Sequence, residues 1–115
     1  MSFAVRGAPG DGITVVEVAG EVDVETAPRL RSALEKALAT GDPVVVDLAA
    51  VTFMDSAGFG VLAAAQRRAA QDGVAVRLRS VPDRVRRLLV LLGLDAVLPI
   101  EPEARTGAEA TGPFA

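Results

Sequence analysis

The chain has 115 residues, half of them hydrophobic and 23% charged, with a formal net charge of −3. That suits one domain with a real core and gives no overall pull toward nucleic acid or an anionic membrane. It has no cysteine and no histidine, which excludes disulfides, thiolate metal sites and the usual general base and metal ligand.

In chain order, Phe3 to Arg6 reads as a short strand, and Asp11-Gly12, after a Pro-Gly pair, as a hairpin turn. Ile13 to Ala19 is β-branched and partly alternating, a strand that Gly20 ends. Thr26 is placed to cap the next helix, with Pro28 tolerated in its first turn. There Leu30, Ala33, Leu34, Ala37 and Leu38 recur at helical spacing until Gly41. Val44 to Leu48 is apolar apart from Asp47, as expected of a central strand covered on both faces. Asp47 needs a partner there and is expected to tie down the following loop. A helix from Ala57 to about Gln71 sets Gly58, Leu62, Ala65 and Ala69 on one face, and Asp72-Gly73 closes it. Val74 to Arg79 alternates apolar and basic residues, a further strand. Pro82 opens a helix that Gly93 ends, with Val85, Leu88, Leu89 and Leu92 inward. Ala96-Val97-Leu98 is a candidate last strand.

Beyond Pro102 the chain is mostly Ala, Gly, Thr, Glu and Pro, so 1–102 reads as the domain and 103–115 as a flexible tail. Alternating strands and helices imply parallel crossovers, and the opening hairpin adds antiparallel pairing. The pattern predicts a single α/β domain with a four- to five-stranded mixed sheet and helices packed mainly on one face. The amino end lacks the apolar run of a secretory signal. Leu88 to Leu92 falls far short of the roughly 20 apolar residues that span a bilayer. A cytoplasmic protein with no membrane partner is expected.

Phe53-Met54-Asp55-Ser56-Ala57-Gly58 joins the central strand to its helix. Ser56 is either a plain helix cap or an exposed hydroxyl at a helix end that tolerates phosphate. Asp55 supplies a carboxylate that can also bond turn amides. Gly58 and Gly60 are costly in a first helical turn. Either the helix packs closely on the sheet there, or a flat surface lets a partner approach Ser56. A serine nucleophile needs an adjacent base. With no histidine and Lys36 the sole lysine, none is at hand, and no GxxxxGK[ST] loop is present. Arg67, Arg68, Arg84, Arg86 and Arg87 read as solvated faces and helix ends. Acidic residues outnumber basic ones 15 to 12 and there is no Trp or Tyr for stacking. Neither an enzyme nor a nucleic-acid-binding protein is expected, and no cofactor or metal.

Two motifs carry a family likeness. Gly20-Glu21-Val22-Asp23-Val24-Glu25-Thr26-Ala27 resembles a turn of the STAS family, which comprises sulfate transporter C-terminal domains and anti-sigma factor antagonists. Val46-Asp47-Leu48 followed by Val51 to Gly58 resembles that family's phosphorylation loop, and Val85 to Asp95 is similar to its last regular helix and exit. The likeness covers about residues 3 to 100. It implies a STAS-like domain. A chain this short leaves no room for a transporter or sensor module, so the resemblance implies a stand-alone anti-sigma factor antagonist. It further implies that Ser56 is phosphorylated by a cognate anti-sigma factor that is itself an ATP-dependent serine kinase. The unmodified form would bind that kinase and free the sigma factor, and a PP2C-type phosphatase would remove the phosphate. Asp55 and Asp23 match the acidic residues before the serine and in the neighbouring loop. Ala57 stands where many members carry a second serine, which makes Ser56 the acceptor. The acidic-start helix that usually ends the family is here a weak segment from Glu101. An alternative is a STAS subunit of a lipid-transport or stress-signalling assembly, a binding module whose serine need not be phosphorylated. A monomer or weak dimer is expected.

Periodicity adds a partner face. Phe59 and Val61 lie off the inward line of Gly58, Leu62, Ala65 and Ala69, and Val90 lies nearly opposite the inward stripe of its own helix. With Asp23, Asp55, Ser56 and Gly58, they are expected to form the surface that docks the kinase.

Overall fold

A three-strand parallel sheet, extended by one antiparallel edge strand, sets the frame of the structure, a computed structural model that describes residues 1–6 and 12–101. The elements run β1 (Ser2–Arg6), β2 (Thr14–Val22), α1 (Ala27–Leu38), β3 (Val44–Met54), α2 (Ser56–Gln71), β4 (Val76–Arg79) and α3 (Asp83–Leu91), then a 3-10 turn, Leu94–Ala96. Spatial order follows chain order, β1-β2-β3-β4. β1 lies antiparallel on β2, while β2, β3 and β4 run parallel through the helical crossovers. The Asp11-Gly12 turn lies only partly inside the described residues, and the segment from Pro102 onward lies outside them.

The helices bury their stripes against one face of the sheet. Leu34 of α1, Leu62 of α2 and Leu89 of α3 join Val16, Val46, Leu48 and Leu78 in one continuous apolar cluster. Along β2, Thr14, Val16 and Val18 are buried and the intervening Val15, Glu17 and Ala19 are half-buried. Val44 to Leu48 are buried apart from half-buried Asp47, as expected of a strand covered on both faces, whereas Ala49 and Ala50 beyond them are exposed. In α3 only Val85 and Leu89 are buried, and Leu92, expected inward, is half exposed because the helix ends before it.

Several element ends differ from the sequence reading, and β4 begins at Val76, two residues later than Val74. Gly20 does not end β2. Its φ of +89° and a register shift against β3 mark an irregularity inside the strand, a conformation glycine adopts without strain. β3 continues past Leu48 to Met54, so no loop separates Asp47 from the Ser56 corner. Ala96 to Leu98 is not a strand. Gly93, at φ +72°, turns the chain into the 3-10 turn instead, and a single parallel bridge joins Ile100 to Leu78 of β4.

Asp47 finds the partner it needs across the sheet. It is the register neighbour of Arg79, whose Nε and Nη2 donate to Asp47 Oδ2 at 3.1 and 3.0 Å. Its Oδ1 accepts the Ala49 N–H at 2.9 Å, tying down the chain beyond it. Asp47→Ala removes a partly screened ion pair and one backbone bond, for an expected loss of about 1–2 kcal/mol in a urea melt. Arg79→Ala is expected to lose less, since the Ala49 bond survives.

Candidate functional site

The carboxyl ends of β2 and β3 meet at one corner. Val22 pairs with Met54 and the Asp55 N–H donates to the Val22 carbonyl at 3.2 Å. Asp23 and Asp55, the next residue of each strand, are thereby brought to the same edge, and Ser56 follows as the first residue of α2. The sequence offered Ser56 as the helix cap. The cap is Asp55, extended at φ −109° and ψ −172°, with Oδ1 accepting the Ala57 N–H at 2.9 Å. The capping need of the helix is therefore met without the serine, and Ser56 is exposed at the positive end of a 16-residue helix.

The β2–α1 turn is held by Asp23 and Thr26 together. Asp23 Oδ1 accepts the N–H groups of Glu25 and Thr26, each at 3.0 Å. Thr26 is not the side-chain cap expected, because it is already helical in φ and ψ. Its hydroxyl instead accepts the Asp23 N–H at 2.9 Å and lies 3.2 Å from the Glu21 carbonyl oxygen. The Thr26 N–H above all, with the Thr26 hydroxyl, the Glu25 N–H and the amino terminus assisting, holds the Asp23 carboxyl below the usual aspartate value despite partial burial. The native pKa is depressed, so the stability Asp23 contributes is complete above the unfolded value of 3.8 and is lost as pH falls through the lower native one. The wild type is expected to lose melting temperature between about pH 5 and about pH 2, and Asp23→Asn to flatten that fall. An unaltered acid profile would show that this turn does not carry the dependence.

Gly58 belongs to the packing beneath the corner, and is no flat approach surface. A Cβ there would stand 2.7 Å from Met54 Cγ and 2.8 Å from Val22 Cγ1, so glycine lets α2 come down onto the strand ends and fixes the height of Ser56. Gly60, by contrast, faces open space.

Phe59 and Val61 are not on the surface. They are 1% and 7% exposed and belong to the core cluster. α2 packs against α1 as well as the sheet, so its buried arc runs from Val61 through Gly58 to Ala63, about 200° at 100° per residue. A single inward line was too narrow a description. Val90 is 56% exposed, as expected, but it belongs to α3 and not to the corner.

The exposed apolar side chains at the corner are two that periodicity did not single out. Val24 is 73% exposed and Phe53 is 45% exposed. Val24 follows Asp23, and Phe53 pairs in register with Glu21. Phe53 lies beyond Leu48, where the sequence reading ends the strand, whereas β3 runs on to Met54. Between Glu17/Asp47 and Ala19/Ala50, and again between Gly20/Val51 and Glu21/Phe53, β3 advances one residue more than β2. The first extra residue turns Val51 inward, and the second restores the original alternation, so Phe53 faces outward on the side of Asp47 and Ala49.

Among the described residues no His, Cys, Asp and Glu group could hold a metal, and no helix is long and apolar enough to cross a membrane. A groove of about 810 Å³ between α1 and α2, lined by Leu34, Leu38, Val61, Val74, Arg31 and Arg68 among others, takes in none of Asp23, Asp55 and Ser56. The corner thus presents an exposed hydroxyl, two carboxylates and two exposed apolar side chains.

Comparison with known proteins agrees with this geometry. The STAS domain family model matches residues 5–107. The chain is 36% identical over 102 residues to the anti-sigma-B factor antagonist of Listeria monocytogenes, covering 88% of this chain and 89% of that protein. It is 37% identical over 98 residues to the anti-sigma-F factor antagonist RsfB of Mycobacterium tuberculosis, covering 82% and 77%. The crystal structure of an anti-sigma factor antagonist from Mycobacterium paratuberculosis superposes with a TM-score of 0.79 at 33% identity, covering 95% of this chain and 92% of that one. With its strand order, its Asp55-Ser56 corner and a family match over most of its length, the chain belongs to the STAS domain family.

Proposed function

We propose that this protein is an anti-sigma factor antagonist whose Ser56 corner docks a cognate anti-sigma factor, itself a serine kinase, and that phosphorylation of Ser56 ends that binding. The observation that carries the proposal is the division of labour between Asp55 and Ser56. Asp55 caps α2, so the Ser56 hydroxyl is exposed and spare. Such a hydroxyl can be presented to a kinase without disturbing the helix, and the helix end tolerates the phosphate that results. The relatives that match the chain closely are named for antagonism of anti-sigma-B and anti-sigma-F factors, which favours this role over a subunit of a transport assembly.

The docking surface is assigned to Asp23, Val24, Phe53, Asp55 and Ser56, with Gly58 setting the height of the serine from below. Val24 and Phe53 take the place of Phe59 and Val61. Exposed apolar anchors beside carboxylates suit a partner with an apolar cleft and a basic rim. Phosphate adds about −1.5 to −2 charges between two carboxylates and beside those anchors, which raises the cost of closing the interface. A phosphatase of the PP2C type would restore the binding form.

Incubation of the purified chain with its cognate anti-sigma factor and ATP is expected to add one phosphate. Peptide mapping should place it on Ser56, and Ser56→Ala should accept none while still binding. Phosphate at another residue, or none at all with a competent kinase, would overturn the switch.

A further inference from the structure

The side of the molecule built by α3 carries a second exposed apolar patch with the opposite charge. Val90, Leu91, Leu92 and Val97 are all at least half exposed, Leu91 by 81%. Arg84 and Arg87 are exposed on the same helix. From Pro82 to Val97, α3 and its exit carry Arg84, Arg86 and Arg87 against Asp83 and Asp95. Among the described residues, no ion pair engages Arg84 or Arg87. Four adjacent exposed aliphatic side chains on one helix exit exceed the scattered singletons of an ordinary surface.

The Ser56 corner is its complement. Segments 21–26 and 51–57 contain Glu21, Asp23, Glu25 and Asp55 and no basic residue, with Val24 and Phe53 exposed among them. The two patches lie toward opposite ends of the sheet. The corner follows the carboxyl ends of β2 and β3. α3 leaves the carboxyl end of β4 and must run back, since the chain re-enters parallel to β4 at Ile100. Its exit, with Leu91 and Leu92, therefore lies toward the amino ends of the strands.

We propose that copies of this chain associate head to tail, the acidic corner of one seated on the basic, apolar α3 face of the next. Such a contact pairs two different surfaces, so it does not close on itself as a two-fold dimer does, and short open chains form at high concentration. Charge complementarity sets the register and makes the association sensitive to salt. A copy whose corner is covered in this way cannot engage an anti-sigma factor, so self-association and antagonism compete for one surface.

The test is sedimentation of the full chain from micromolar to millimolar concentration, with no other protein present. Its outcome is therefore independent of the antagonist reading. Average mass is expected to climb beyond that of a dimer at low ionic strength, and the association to weaken roughly fivefold or more when salt rises from about 50 mM to about 500 mM. Two variants at exposed positions separate the surfaces: Val24→Ser with Glu25→Gln at the corner, and Arg87→Gln with Leu91→Ser on α3. Circular dichroism melts should show both folded; if either double variant melts early, Glu25→Gln or Leu91→Ser alone replaces it. Each variant alone is expected to stay monomeric, whereas an equimolar mixture forms one-to-one dimers that grow no further, because one intact corner meets one intact α3 face. A monomer at every concentration would overturn the proposal. So would a closed dimer abolished by the α3 variant but untouched by the corner variant, which would mean that two α3 faces pair with each other.

Discussion

Phe59→Asp is expected to leave no cooperative unfolding transition, whereas Phe53→Asp, six residues earlier, should melt within about 0.5 kcal/mol of the wild type. Both residues are phenylalanines beside Ser56, and only burial separates them. Phe59 is among the largest fully buried side chains and sits on the first turn of α2 over the sheet. Truncating such a ring costs about 3–5 kcal/mol, and placing a carboxylate in the apolar space adds several more. A domain of this size has about 5–15 kcal/mol in all, so the sum reaches its whole stability. Phe53 is nearly half exposed at the end of β3, where a carboxylate remains hydrated. Urea melts of the two variants followed by circular dichroism measure the difference. A stable Phe59→Asp protein would mean that α2 does not pack as described.

The second large effect is on binding. Phe53→Asp is expected to weaken the complex with the cognate anti-sigma factor by about 30-fold or more, the loss of an interface anchor worth 2 kcal/mol or above. The variant removes an exposed apolar anchor and adds a further carboxylate to a corner that already holds Glu21, Asp23, Glu25 and Asp55. Val24→Asp should act in the same direction. Since neither side chain is core, titration calorimetry on folded protein reads binding alone. Unchanged affinity for both would move the docking surface away from this edge.

How far the sequence carried these assignments differs by element. The α1 stripe was legible because Leu30, Ala33, Leu34 and Ala37 recur at a strict helical period and all four are buried. The corner was legible too, since an apolar strand running into Asp55-Ser56 and then a helix leaves few other ways to place a serine. Three things were not. Which residue caps α2 depends on φ and ψ at Asp55, and Asp and Ser are nearly equal as caps. The width of the buried arc on α2 depends on α1 packing beside it, a contact between segments that no local period contains. The exposure of Phe53 depends on how far β3 runs: the sequence reading ends that strand at Leu48, whereas it continues to Met54 with two extra residues against β2 that cancel in parity, so Phe53 falls outward. Two of these three bear on the same question, which apolar side chains surround Ser56, and there the reading moved from Phe59 and Val61 to Phe53 and Val24.

The central claim is that one phosphate on an exposed serine switches a docking surface without unfolding the domain. Its most direct test is a titration of the cognate anti-sigma factor with unmodified and stoichiometrically Ser56-phosphorylated protein, with a thermal melt of each. Affinity is expected to fall by about 100-fold or more, a loss of roughly 2.7 kcal/mol, while the two melting temperatures stay within a few degrees because Asp55 continues to cap α2. Equal affinity of the two forms would contradict the switch, and a collapse of the melting transition on phosphorylation would show that the loss of binding came from unfolding instead.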